Sequence, residues 1–140
     1  MVADFAALKF HHLGLAVKDD GPALVYLGAL GYRLGERIFD PIQNVYVRLC
    51  IAAGRPTVEL VQPGDSGPSP VDALISRFNE MIYHTCYETS EPALAVVEGL
   101  KGLGLRIITL SPPQPAVLFG GRRVSFHRIQ GVGIVELLED

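Results

Sequence analysis

Four short blocks recur in the same order along this 140-residue chain, and such a duplication restricts the fold more than any overall composition does. His12-Leu13-Gly14-Leu15-Ala16-Val17 is answered 72 positions later by His84-Thr85-Cys86-Tyr87-Glu88-Thr89. Pro22-Ala23-Leu24 is answered by Pro92-Ala93-Leu94 at an offset of 70, and Leu30-Gly31-Tyr32-Arg33-Leu34 by Leu103-Gly104-Leu105-Arg106-Ile107 at 73. Val58-Glu59-Leu60-Val61 is answered by Val135-Glu136-Leu137-Leu138 at 77. Changes in loop length account for drift of this size.

Each copy carries the same run of local signals. Residues 10–17 read as a strand closed by Lys18-Asp19-Asp20-Gly21. Pro22 then opens a helix in which Leu24, Leu27 and Leu30 recur at helical spacing up to Gly31. Strands are expected at 32–39, 44–52 and 56–62. In the second copy Ser90 is placed to cap a helix that ends near Gly104, with Glu91 favourable to the helix dipole. Strands follow at 105–110, 122–128 and 132–138. Pro63-Gly64-Asp65-Ser66-Gly67-Pro68 is a turn-rich linker. It leads to a short helix at 70–79, capped by Ser69 with Asp72 at its third position, that is expected to bury Leu74, Ile75 and Phe78. The chain therefore reads βαβββ, linker helix, βαβββ: a first module at about 8–63, a linker at about 64–80 and a second module at about 81–140.

Bulk numbers exclude several classes of function. Apolar residues make up 49% and charged residues 19%, which is ample for a packed core and unlike a disordered chain. A net charge of −3 offers no footprint for nucleic acid, and Arg122-Arg123, the one adjacent basic pair, reads as a solvated strand end. Cys50 and Cys86 sit in apolar runs without metal-knuckle spacing, so each is expected to be a small buried hydrophobe. The opening MVADFAALKFHH has no charged-then-apolar leader pattern, and no apolar stretch reaches membrane-spanning length. A reducing, cytoplasmic setting is the expectation.

The duplicated His and Glu are the chemistry-bearing residues. Val58-Glu59-Leu60 and Val135-Glu136-Leu137 put carboxylates among buried-strand residues, where a charge needs a cation, a proton or several donors. If each His opens a first strand and each Glu lies on a last strand, pairing sets them side by side, and a pseudo-two-fold adds the second pair opposite. His12, Glu59, His84 and Glu136 would then surround one borderline divalent ion (Zn, Ni, Co, Mn or Fe), with two octahedral positions left for water or substrate. His11 rivals His12 but has no in-phase counterpart. His127 has none either and is expected to be structural or on the surface.

Phe10-His11-His12-Leu13-Gly14-Leu15-Ala16-Val17, Thr57-Val58-Glu59-Leu60-Val61-Gln62-Pro63, Tyr83-His84-Thr85-Cys86-Tyr87-Glu88 and Gly133-Ile134-Val135-Glu136-Leu137-Leu138-Glu139 resemble the ligand-bearing strands of the vicinal oxygen chelate superfamily. The resemblance spans about 9–139. It implies an α+β fold in which tandem βαβββ modules form a cupped, half-open eight-stranded barrel, all in one domain over 1–140, with the same four metal ligands. Within the superfamily the chain is most similar to methylmalonyl-CoA epimerases, through Gln43-Asn44-Val45-Tyr46-Val47, the run from Glu59 to Pro63, Ser69-Pro70-Val71, and Phe119-Gly120-Gly121-Arg122-Arg123-Val124-Ser125-Phe126. It departs from them in a short 127–133 loop without a His-Pro-Lys run, and in Val47, where some epimerases present a catalytic glutamate.

What the resemblance implies is proton abstraction next to a carbonyl, as in an epimerase or isomerase acting on an acyl thioester such as methylmalonyl-CoA. Glu59 and Glu136 are the candidate bases; Val47 and Glu88 are candidate substrate contacts. A glyoxalase I-like lyase acting on a hemithioacetal fits the ligand set equally, and a non-catalytic small-molecule binder with the same cup is the reading from another class. Ring cleavage is disfavoured, since it would require one of the four ligand positions to be empty. A homodimer is expected from exposed sheet edges, with no nucleic-acid partner and no membrane contact.

Overall fold

The computed structural model describes residues 5–140; the N-terminal four, on which part of the leader reading falls, lie outside the described residues. Among the described residues the order is β1 (Lys9–Val17), α1 (Gly21–Ala29), β2 (Arg33–Leu34), β3 (Ile38–Asp40), β4 (Val45–Ile51), β5 (Val58–Pro63) and α2 (Asp72–Phe78). Then come β6 (Glu80–Thr89), α3 (Ala93–Gly102), β7 (Ile107–Pro115), β8 (Arg123–Ile129) and β9 (Gly133–Glu139). The architecture is α+β, with the strand-helix-strands order repeated. Two compact units follow from the contacts: residues 12–83, and residues 84–140 together with the N-terminal segment through His11.

In the unit of residues 12–83 the strand order is β2-β4-β5-β1, with β3 also paired to β4. β1 and β5 run parallel, with Leu13 opposite Val58, Gly14 opposite Glu59 and Ala16 opposite Val61. Side chains alternate across a strand, so Leu15, Val58, Leu60 and Cys50 face one way and meet Leu24, Leu27 and Tyr32. Those helix-facing positions are the apolar ones that the sequence repeats. Gly31, just past α1, adopts φ +91, the left-handed conformation expected of a helix-ending glycine.

The other unit has the same plan. Its strands run β6-β9-β8-β7, and β6 pairs parallel with β9, placing Cys86 opposite Glu136 and Glu88 opposite Leu138. Helix α3 lays Ala93, Val96 and Val97 on Ile107, Ile129 and Leu137. Gly104 repeats φ +91. The residue two beyond each repeated His lies opposite the repeated Glu in both units, so the duplication extends to register. Cys50 and Cys86 are in no disulfide and both are fully buried, as their apolar settings predict.

Several local expectations are corrected. The strand expected at 32–39 divides into β2 and β3, making nine strands among the described residues instead of eight. It breaks at Gly35, whose N–H donates to the Leu49 carbonyl at 2.9 Å and whose α-carbon sits so close to β4 that a Cβ would collide with that oxygen. β7 runs on past 110 to Pro115. Pairing only with β8, it absorbs its prolines at two register shifts, between Thr109 and Ser111 and between Ser111 and Gln114. Ser90 does not cap α3; the Glu139 carboxylate accepts the Ala93 N–H at 2.8 Å from β9. Nor does Ser69 cap α2: its backbone N–H donates to Asp72 at 2.8 Å, and of the three expected core residues only Ile75 is buried. The linker is tied down by Asn44, whose side-chain amide donates to the Ser66 and Pro68 carbonyls, each at 2.9 Å.

The close approach at Gly35 is testable. Gly35→Ala is expected to lower stability by about 1–3 kcal/mol, because overpacking here meets backbone. Gly28→Ala, inside α1 with open space around its α-carbon, is expected to be neutral or stabilising. Urea unfolding midpoints of the two variants check this.

Candidate metal centre

Each unit buries one histidine beside one glutamate. In the unit of residues 12–83, His12 Nε2 lies 3.7 Å from Glu59 Oε1. In the other unit, His84 Nε2 lies 3.0 Å from Glu136 Oε1. Relative exposures are 0% for His12, 5% for Glu59, 3% for His84 and 2% for Glu136. Carboxylates so removed from water need positive charge or donors close by.

Register explains how each pair forms. His12 lies two residues before Gly14, which is opposite Glu59, so both side chains leave the same face of the β1–β5 pair. His84 has the same relation to Cys86 and Glu136. The opposite faces of both strand pairs carry the helix-packing residues. A one-residue slip in either pair would turn its carboxylate toward the helix.

The donor separations fit a divalent ion. With metal–nitrogen and metal–oxygen bonds of about 2.1 Å, neighbouring donors stand about 3.0 Å apart at right angles and about 3.4 Å apart in a tetrahedron. The His84–Glu136 spacing falls on that scale. The His12–Glu59 spacing is too long for a direct hydrogen bond and within a small side-chain adjustment of it. Imidazole nitrogen with carboxylate oxygen is a borderline donor set suited to first-row divalent metals.

The surroundings of each pair are apolar. Opposite Glu59 on β4 is Leu49, and the same face carries Ala16, Val45, Val47 and Val61, all but Leu49 buried. Val47, the candidate substrate contact, thus lies on the face that carries His12 and Glu59, opposite Val61. In the other unit Phe126 is opposite Glu136 and sets its ring edge-on to His84, with centroids 5.3 Å apart. Cys86, Val124 and Leu138 continue that face.

Glu88 follows His84 and Cys86 along the same face, but its carboxylate is bound by Arg122 Nη2 at 2.9 Å. That guanidinium holds its carboxyl below the usual carboxylate range, against a smaller opposing effect of burial. Arg122 also donates through Nε to the Glu139 carbonyl at 3.0 Å, and Arg123 Nε donates to the Glu139 carboxylate at 2.9 Å. The pair read as a solvated strand end is therefore a tie between β8 and the ends of β6 and β9. His11 packs its ring edge-on to Phe119, with centroids 5.2 Å apart. His127 is buried on the helix side of its sheet, with Ser125 Oγ 2.7 Å from Nε2 and Thr109 Oγ1 3.0 Å from Nδ1. Burial, and secondarily Lys101, lower its pKa.

Residues 11–126 match the sequence pattern of the Glyoxalase/Bleomycin resistance protein/Dioxygenase superfamily. The chain belongs to that superfamily. Among solved structures, a methylmalonyl-CoA epimerase from Mycobacterium tuberculosis shares its fold, with a TM-score of 0.74 at 21% identity over 94% of this chain and 87% of that one. A hypothetical protein from Bacillus halodurans has a TM-score of 0.77 at 26% identity over 96% and 95%. A Streptomyces coelicolor methylmalonyl-CoA epimerase in complex with 2-nitronate-propionyl-CoA has a TM-score of 0.72 at 18% identity over 96% and 99%. No curated protein sequence matches the chain. No helix among the described residues is long and apolar enough to cross a membrane.

The Glu88–Arg122 pair gives a pH dependence of known sign. A carboxyl whose folded pKa is depressed adds stability above its unfolded value, 4.5, and that stability is lost as pH falls through the folded value. Between the two values the wild type should therefore lose unfolding free energy more steeply than Glu88→Gln. Parallel slopes for the two proteins in acid urea titrations would remove Glu88 from the account.

Proposed function

We propose that this superfamily member is a divalent-metal-dependent epimerase or isomerase that moves a proton on the carbon next to a carbonyl, in an acyl thioester such as methylmalonyl-CoA. The observation that carries the reading is the buried His–Glu pair present in each unit, at donor spacing for His84–Glu136 and within a small side-chain adjustment of it for His12–Glu59. His12, Glu59, His84 and Glu136 are the proposed ligands of that one ion. When bound, a divalent ion supplies Lewis-acid stabilisation of the negative charge that develops on the substrate's carbonyl oxygen.

The chain's own residues supply the rest. As ligands, His12 and His84 would offer neutral nitrogen and so add no negative charge to repel a substrate carboxylate. Glu59 and Glu136 are the proposed proton carriers: the ionised one takes the proton from the α-carbon, and the other, which enters the step protonated, returns its proton to the opposite side, so the two exchange protonation states at each inversion. Ala16, Val45, Val47 and Val61 in one unit, and Cys86, Val124, Phe126 and Leu138 in the other, exclude water around the carboxylates. Low local polarity strengthens each electrostatic interaction with the reacting group. Glu88, tied to Arg122, stays ionised and is a wall of the site instead of a base. The fold shared with epimerases supports the thioester substrate class, two of whose solved structures carry 2-nitronate-propionyl-CoA and methylmalonyl-CoA.

The reading is tested with purified protein reconstituted with cobalt, nickel, zinc, manganese or iron(II). A single equivalent of metal is expected per chain, lost in His12→Ala and His84→Ala. Metal-loaded protein in deuterated water should place deuterium at the α-carbon of methylmalonyl-CoA. Glu59→Gln or Glu136→Gln should slow that exchange by about 10²–10⁴-fold. Full metal occupancy without exchange, but with turnover of a methylglyoxal–glutathione hemithioacetal, would replace the epimerase reading with a lyase.

A further inference from the structure

The unit of residues 84–140 carries a second feature that the metal reading does not use. A groove of about 680 Å³ lies along the β7–β8 edge where α3 ends, lined by Lys101, Leu105, Arg106, Ile107, Ile108, Arg128 and Gln130. Three of these side chains are cations, in a chain whose formal net charge is −3. Among the described residues neither Arg106 nor Arg128 has a side-chain hydrogen bond or ion pair, and Lys101 keeps only an exposed contact of 3.5 Å to Glu98. Three other arginines pair with acid groups, Arg48 with Asp20, Arg122 with Glu88 and Asp140, and Arg123 with Glu139, whereas Arg106 and Arg128 line one groove without such a partner. Two unneutralised guanidiniums beside one ammonium form a receptor for a multiply charged anion, since guanidinium forks match phosphate oxygens.

The groove also has a direction. Arg128 and Phe126 leave the same face of β8, because Phe126 lies opposite Glu136 and Arg128 opposite Ile134. Ile108, opposite Arg128 on β7, shares that face. Arg128 thus stands about 7 Å along the strand from the residue facing the ligand carboxylate, on the same side of the sheet. Duplication does not explain the charge. Ile51 occupies the place of Arg128 in the register of the other unit, and Gly28 the place of Lys101; only Arg33 matches Arg106. Exposed Leu105 and Ile108 beside the cations give an apolar flank that a bare inorganic ion would not use.

We propose that Lys101, Arg106 and Arg128, which meet at the sheet edge, bind the phosphate groups of a nucleotide-bearing substrate, whose reactive end reaches Glu136 along the face that Arg128 shares with Phe126. The inference rests on the acyl-thioester reading for the identity of that substrate, and selects a nucleotide-linked thioester over a glutathione adduct. It is tested without turnover, on intact protein stripped of metal by chelation, so failure of the exchange assay and failure of this site are separate results.

Calorimetric titration with adenosine 3′,5′-bisphosphate should show binding that weakens as salt is raised. Arg106→Gln and Arg128→Gln should each weaken it at least about tenfold, the usual cost of losing a charge-assisted contact. Arg55→Gln, at an exposed turn in the other unit, removes the same charge and should leave affinity unchanged. Thermal unfolding of each variant confirms that it is folded. Absence of binding by wild-type protein, equal loss in Arg55→Gln, or equal affinity for inorganic diphosphate would each overturn the proposal.

Discussion

Two carboxylates buried in strands are the constraint on which the rest depends. Glu59 and Glu136 each sit between apolar neighbours on a strand that is otherwise core, at 5% and 2% exposure. A charge in such a place must be answered from the same face, and the parallel pairing of β1 with β5 and of β6 with β9 brings an imidazole there. Parallel pairing in turn requires a crossover, which α1 and α3 supply, and each crossover helix covers the face that the carboxylate does not use. Helix on one face and His–Glu pair on the other are thus consequences of a single register in each unit.

Much of this was legible in the sequence because alternation has a period of two. Val58-Glu59-Leu60-Val61 declares one face for Glu59 and Val61 and the other for Val58 and Leu60, and the structure follows it. The helix-ending glycines were equally legible: Gly31 and Gly104 share φ +91 because only a residue without a Cβ adopts that conformation freely. What escaped was non-local. The cap of α3 comes from Glu139, remote in sequence, so Ser90 looked like the better candidate. The extension of β7 through Ser111-Pro112-Pro113 was hidden because proline argues against a strand, and only its position beside a single partner makes those residues tolerable there. The break at Gly35 depends on the approach of β4, which no local pattern encodes.

His127 illustrates the same limit from the side of function. As a histidine without a counterpart it read as structural or exposed, and the structure shows it buried, held by Ser125 and Thr109 on the helix-covered face. Parity alone separates it from His84. On β8 the side shared with Glu136 belongs to Val124, Phe126 and Arg128, so a histidine at 127 points away from Glu136. Residue type suggests a ligand; register decides whether it can be one.

The two units differ where the duplication leaves them free to differ. Beyond the His–Glu pairs, equivalent places on the faces that carry them hold Gly14 and Cys86, Ala16 and Glu88, Leu49 and Phe126, and Ile51 and Arg128. The first unit offers small or aliphatic groups at each of these places. The second offers a thiol, a carboxylate clamped by Arg122, an aromatic ring against His84 and an unpaired guanidinium. Chemical variety on the face that carries the His–Glu pair is therefore concentrated in residues 84–140, while the equivalent face in residues 12–83 stays small or aliphatic, so the duplication conserved the pair and its register and left the flanking positions free to diverge.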